Sequence, residues 1–173
     1  IESELFGPAR GALTRPDSAR VGHVEAAGNG TLFIDDVGDL PREAQGKLLR
    51  LLEEHTYVRV GDTEARRSDA RVVAATHCDL RAAVAAGSFR EDLFYRLNVV
   101  TLRVPPLRER REDIPDLAAG ILADLCAQHR RAPLVMAPRV VAALSTYAWP
   151  GNLREMENFV KRYRILADEQ RIL

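Results

Sequence analysis

Two adjacent carboxylates, Asp35 and Asp36, close the apolar run Thr31-Leu32-Phe33-Ile34, and they are the residues best placed to do chemistry. An acid pair at a strand end can hold a divalent cation against phosphate charge and can orient or deprotonate an attacking water. By position, Asp35 is the candidate magnesium ligand and Asp36 the candidate base for hydrolysis of ATP. The plainer reading is structural, because Asp commonly caps a turn. No G-x-x-x-x-G-K-[ST] run, the sequence that cradles phosphates, occurs in the 173 residues. The opening residues Ile1-Glu2-Ser3-Glu4-Leu5-Phe6 read as the end of a helix, as expected of a piece of a longer protein.

The bulk numbers exclude more than they assign. A hydrophobic fraction of 46% with 29% charged residues is ordinary for a globular protein. Lys+Arg 25 balances Asp+Glu 25, so no global field favours nucleic acid or an anionic membrane as partner. Nearly all the basic residues are arginine, with Lys47 and Lys161 the only lysines. Cys78 and Cys126 show no C-x-x-C spacing, which fits a reducing cytoplasm. His23, His55, His77 and His129 show no metal-ligand spacing. No apolar run approaches bilayer length, and no membrane partner is expected.

The elements that must carry the acid pair follow from periodicity. Gly7 to Arg20, with Gly7, Pro8, Gly11 and Pro16, reads as a loop or interrupted insertion. Thr31 to Ile34 and Arg71 to Thr76 read as short buried strands, and Tyr57-Val58-Arg59-Val60 as a half-buried one. Val99 to Val104 is expected as a further strand, closed by Pro105-Pro106. A helix after Pro41 carries Ala44, Leu48, Leu51 and Leu52 on one face, and shorter helical pieces lie at Leu80–Ala86 and Arg90–Leu97. Beyond the charged joint Arg108 to Asp113 everything reads as helix. Three apolar faces follow: one from Ile114 to Leu125, a second of Val140, Val141, Leu144 and Tyr147, and a third of Leu153, Met156, Val160 and Tyr163. Strands alternating with helices, then helices alone, give an α/β layer with a helical lid.

These segments, in this order, resemble the AAA+ ATPase domain of bacterial enhancer-binding proteins, the activators that remodel sigma-54 RNA polymerase. The resemblance rests on Glu2 to Gly7, on Gly30-Thr31-Leu32-Phe33-Ile34-Asp35-Asp36-Val37-Gly38, on Gln45 to Leu52 and on Tyr57 to Gly61. It continues through Ala74-Ala75-Thr76, Phe89 to Asn98, Pro105 to Arg110 and Trp149-Pro150-Gly151-Asn152-Leu153-Arg154-Glu155. It implies a partial parallel AAA+ sheet with flanking helices over residues 1–110, without the phosphate loop, and an all-helical lid over 111–173. It also implies ATP and Mg2+ as cofactors of the intact domain, with weak or no binding by this segment.

By the same resemblance, Arg90 and Arg96 are offered to the nucleotide of a neighbouring subunit, where an arginine in trans stabilises charge on the transferred phosphoryl. Such head-to-tail contact closes into a ring, usually a hexamer in this family. The alternative for both arginines is a surface pair with Glu91 or Asp92. Thr76 and His77 stand where the family senses the γ-phosphate, and Arg154 where a lid arginine reaches the phosphates. The second carboxylate is usually Glu in the family; Asp36 is a methylene shorter, so slower turnover is expected.

The loop that would touch sigma-54 reads Gly11-Ala12-Leu13-Thr14-Arg15-Pro16, against a family tip of Gly-Ala-Phe-Thr-Gly-Ala. Gly11, Ala12 and Thr14 match, while Leu13 lacks an aromatic face and Pro16 fixes φ and removes an N–H. Asp62 to Asp69 resembles the hairpin that assists this loop. Two functions therefore stand: a ring ATPase remodelling the sigma-54 holoenzyme, in the manner of a response regulator, or a non-hydrolysing regulatory protein that keeps the fold. DNA contact is expected only through other segments.

Overall fold

The computed structural model describes residues 1–9 and 21–166. The Gly11, Ala12, Leu13 and Thr14 loop lies outside the described residues. The chain divides into two compact units, Ile1–Thr101 and Leu102–Leu173.

In the first unit, α1 (Glu2–Phe6) and α2 (His23–Ala27) precede β1 (Thr31–Ile34), and α3 (Arg42–Glu54) leads to β2 (Thr56–Val58), β3 (Ala65–Arg67) and β4 (Arg71–Ala74). Two short helices, α4 (Leu80–Ala85) and α5 (Glu91–Leu97), complete it. β1 and β4 pair in parallel, with Thr31 opposite Arg71 and Ile34 opposite Ala74. β2 and β3 form an antiparallel hairpin, with Tyr57 opposite Arg66. Its turn uses Gly61 at φ 79°, and the Asp62 carboxylate accepts the N–H groups of Thr63 and Glu64.

The core of this unit is built where helix and strand periods agree. Ala44, Leu48 and Leu51 recur at helical spacing on α3 and are buried, with Leu32 and Ile34 of β1, Phe6, Phe89 and Leu93. The strands are less enclosed than their sequence suggests. β1 buries alternate residues and leaves Phe33 61% exposed, and β4 leaves Val73 exposed as well. The two parallel strands of the described residues thus present one exposed face, which carries Phe33 and Val73.

The expected strand at Val99 to Val104 does not form. Val99, Val100, Leu102 and Val104 are 78–87% exposed. A strand exists only through a paired neighbour, and among the described residues no edge pairs with this segment; β propensity alone does not supply one.

The second unit is helical, as expected. α6 (Ile114–Gln128), with Pro115 in its first turn, packs on α7 (Pro138–Thr146) and α8 (Asn152–Leu166). Ile114, Ala118, Leu122, Val140, Met156 and Val160 are buried between them with Trp149. Two residues leave their expected faces. Tyr147 lies beyond α7, 49% exposed, with its ring edge on Trp149 and its hydroxyl donating to Glu155, and Leu153 sits at the exposed start of α8. Among the described residues, no helix is long and apolar enough to cross a membrane.

Candidate functional site

A parallel pair places the C-terminal ends of both strands together, and ligands of α/β sheets bind outside those ends. Here Asp35 and Asp36 leave β1 beside Ala75, Thr76 and His77, which leave β4. Backbone bonds extend the ladder past the strands: Ala75 N–H donates to Ile34 O at 2.8 Å, and Val37 N–H to Ala75 O at 2.9 Å. Asp36 therefore sits in a pinned turn, in the left-handed region at φ 52°, ψ 50°, which Asp tolerates better than most residues.

His77 Nδ1 lies 2.7 Å from Asp36 Oδ1, a contact spanning 41 residues of sequence. Both side chains are open to solvent, yet the carboxylate holds the imidazole above its ordinary pKa, through the hydrogen bond first and then its charge. Thr76 Oγ1 accepts the Cys78 N–H at 3.1 Å, so it caps the turn that carries His77. Asp35 is exposed, with neither carboxylate oxygen hydrogen-bonded among the described residues. Asp36, Asp39 and His77 bring donor atoms within 4.8 Å of one another. The imidazole Nδ1 in that group is committed to Asp36.

Gly38 and Gln45 matter here beyond their place in a motif. A Cβ on Gly38 would fall 2.9 Å from Thr76 Oγ1, so any larger residue would displace the hydroxyl that caps the β4 turn. Gln45 is wholly buried; its Nε2 donates to Leu40 O at 2.7 Å and Ser88 O at 3.0 Å, and its Oε1 accepts the Arg90 N–H at 2.9 Å. It fixes the start of α5, and so the backbone of Arg90. A polar residue on the apolar face of α3 was the sequence signal for it.

Arg90, at the N-cap of α5, and Arg96, within it, have intramolecular partners. Arg90 grips Asp92 with Nη2 at 2.7 Å and Nε at 3.0 Å. Arg96 donates from Nε and Nη2 to the Leu52 carbonyl, which has no acceptor role inside the last turn of α3. A further tie joins α2 to the β2 end: Arg59, 9% exposed, meets Glu25 with Nη2 2.7 Å from Oε2 and 2.9 Å from Oε1, and the Tyr57 hydroxyl donates to the same carboxylate. The Arg59 hydrogen bonds hold Glu25 below its usual carboxylate range.

In the second unit, Arg154 stands exposed in the first turn of α8, without a hydrogen bond or ion pair among the described residues. The turn before it is held on three sides. Trp149 Nε1 donates to Leu144 O, Glu155 accepts the Gly151 N–H, and Asn152 Oδ1 accepts the Leu107 N–H at 2.9 Å.

The sigma-54 interaction domain family matches residues 1–103, and the AAA+ ATPase lid domain family matches residues 108–173. The chain belongs to the sigma-54 interaction domain family. It is 46% identical over 172 residues to the alginate biosynthesis transcriptional regulatory protein AlgB of Pseudomonas syringae pv. tomato, covering 99% of this chain and 38% of that protein. It is 45% identical over 173 residues to the DNA-binding transcriptional regulator NtrC of Escherichia coli K12, covering 100% of this chain and 37% of that protein. The crystal structure of NtrX from Brucella abortus in complex with ATP superposes with a TM-score of 0.86 at 40% identity, over 97% of this chain and 36% of that one. The fold is thus the AAA+ α/β unit with a helical lid, as the motifs implied. The chain spans less than two-fifths of the length of these relatives.

Proposed function

We propose that this chain is the central module of a cytoplasmic sigma-54-dependent transcriptional regulator that couples ATP hydrolysis in a ring, of hexameric order, to remodelling of the RNA polymerase holoenzyme. The observation that carries the reading is the convergence of Asp35 and Asp36 with Thr76 and His77 at one end of the parallel strands. ATP with Mg2+, when bound, supplies the phosphoryl group and its charge-neutralising cation. The donor set fits that pair: exposed carboxylates suit a hard, hydrated cation better than thiolate or buried imidazole would.

In this reading Asp35 offers its uncommitted oxygens to the magnesium shell. Asp36 orients a water and accepts its proton at a carboxylate oxygen, once His77 yields or shares the Oδ1 it now occupies. Thr76 and His77 report on the terminal phosphate, and Arg154 reports from the lid. Arg90 and Arg96 serve the site of a neighbouring subunit, after exchanging Asp92 and the Leu52 carbonyl for phosphate oxygens. The His77 hydrogen bond on Asp36 is also what a non-hydrolysing regulator would show, so turnover must be measured. In the full-length protein, Asp36→Glu is expected to raise the ATPase rate about tenfold, well inside the ~10²-fold that a 1 Å misplacement can cost. An unchanged rate refutes the assignment of Asp36 as base. Loss of turnover in Arg90→Ala, restored partly by mixing with Asp36→Asn subunits, is the expected mark of arginines acting in trans.

A further inference from the structure

Cys78 lies three residues beyond Ala75, the last residue of β4's ladder bonds, half-buried and free of any disulfide. Its Sγ is 3.4 Å from His77 Nε2. The opposite ring nitrogen, Nδ1, is the one held by Asp36 at 2.7 Å. An ionised carboxylate can only accept, so Nδ1 carries the proton, and whenever the ring is neutral Nε2 turns its lone pair to the thiol. Nucleophile, base and orienting carboxylate in that order are the arrangement that activates a cysteine. The backbone helps: the Cys78 N–H donates to Thr76 Oγ1, which holds the turn that presents Sγ to the ring.

We propose that Cys78 is a reactive thiol and a modification site for peroxides and other small electrophiles, with His77 as its base and Asp36 as the carboxylate that orients the base. The thiol proton passes from Sγ to His77 Nε2. The thiolate attacks one oxygen of a hydroperoxide; the S–O bond forms as the O–O bond breaks, and the departing hydroxide or alkoxide takes the proton from His77. Sulfur is oxidised by two electrons to the sulfenic acid, and the peroxide is reduced to water or alcohol. The 2.7 Å contact with Asp36 holds the ring in the orientation that faces Nε2 to Sγ, and the exposure of the ring leaves the reagent a path. Cys126 is the internal contrast, buried among Leu122, Leu125 and their neighbours in the helical unit. The inference stands whether or not the intact protein hydrolyses ATP.

The test compares the two cysteines within one molecule. The full-length protein is treated with iodoacetamide at pH 7, native and in urea, and alkylation of each cysteine is followed by mass spectrometry. A free thiol is only a few per cent thiolate at that pH, so activation is expected to make native Cys78 react about tenfold faster than unfolded Cys78. Native Cys126 should instead react more slowly than unfolded Cys126. His77→Gln should return the native Cys78 rate to the unfolded rate or below. With hydrogen peroxide, a sulfenic-acid trap should label Cys78 in the native protein and leave Cys126 unlabelled. A native Cys78 rate no faster than the unfolded one, or an equal native rate in wild type and His77→Gln, or no trapped sulfenic acid on Cys78, overturns the proposal. The native-against-unfolded comparison needs no variant, so a failure of His77→Gln to fold does not rescue it.

Discussion

Gln45 is the anchor most open to experiment, because nothing about its chemistry is catalytic and its burial is complete. Two of its partners are carbonyls and the third is an N–H, so only one orientation of the amide satisfies all three. Gln45→Met keeps the volume and removes every bond. The Leu40 carbonyl lies fully inside, whereas the Ser88 carbonyl and the Arg90 N–H are part-buried and can recover some water. Taking about 2 kcal/mol for the enclosed orphan and roughly 0.5 kcal/mol for each of the others gives a loss of about 3 kcal/mol. For a unit of this size that lowers the midpoint of its thermal transition by roughly 12–24 °C. Urea and thermal unfolding of wild type and variant, followed by far-UV circular dichroism, measure it. A second consequence separates this site from an ordinary core position: loosening the start of α5 should also lower any activity that depends on Arg90, under conditions where the variant is still folded. A loss within ~0.5 kcal/mol of zero would be the size of an uninvolved surface change, and would refute the view that Gln45 anchors this segment.

Other expectations follow from ties of the same kind. Arg59→Met should cost about 2 kcal/mol, less than the 3–5 kcal/mol of a fully buried pair because Glu25 is partly solvated, and a double-mutant cycle with Glu25→Gln should show strong coupling. Since Glu25 is held below its ordinary value of 4.5, that tie contributes fully above this value and is lost as pH falls through the depressed one; an acid unfolding midpoint unmoved by Arg59→Met would refute it. His77 is shifted the other way, so its contribution is present below the ordinary value of 6.5 while Asp36 is ionised, and is lost as pH rises through the raised value. Proton NMR should find the His77 titration above 6.5 and, in Asp36→Asn, moved back toward it; identical titrations in both proteins would show that the contact is not made in solution. The 173 residues contain no phosphate-cradling loop, so calorimetry on this segment alone should find no micromolar ATP binding.

How far the fold could be read in advance depended on whether the signal lay along the chain or across it. The acid-ended strand, the α3 face of Ala44, Leu48 and Leu51, and the three lid helices are local patterns, and each formed where its periodicity put it, Tyr147 and Leu153 alone leaving their faces. Val99 to Val104 carries an equally good strand pattern and makes none, because a strand needs an edge to pair with and the chain cannot specify that edge locally. Gln45 and Arg90 are 45 residues apart, and no spacing rule connects them. The Asp36–His77–Cys78 group is an intermediate case. It could have been anticipated from one added premise, that β1 and β4 run parallel with Ile34 opposite Ala74. Two residues past those partners, Asp36 and Thr76 must emerge at the same end, with His77 one step on. Had the strands been antiparallel, the acid pair and the Thr76-His77 pair would stand at opposite ends of the sheet. The direction of that one pairing therefore decides whether the residues form a site, more than the residue types do.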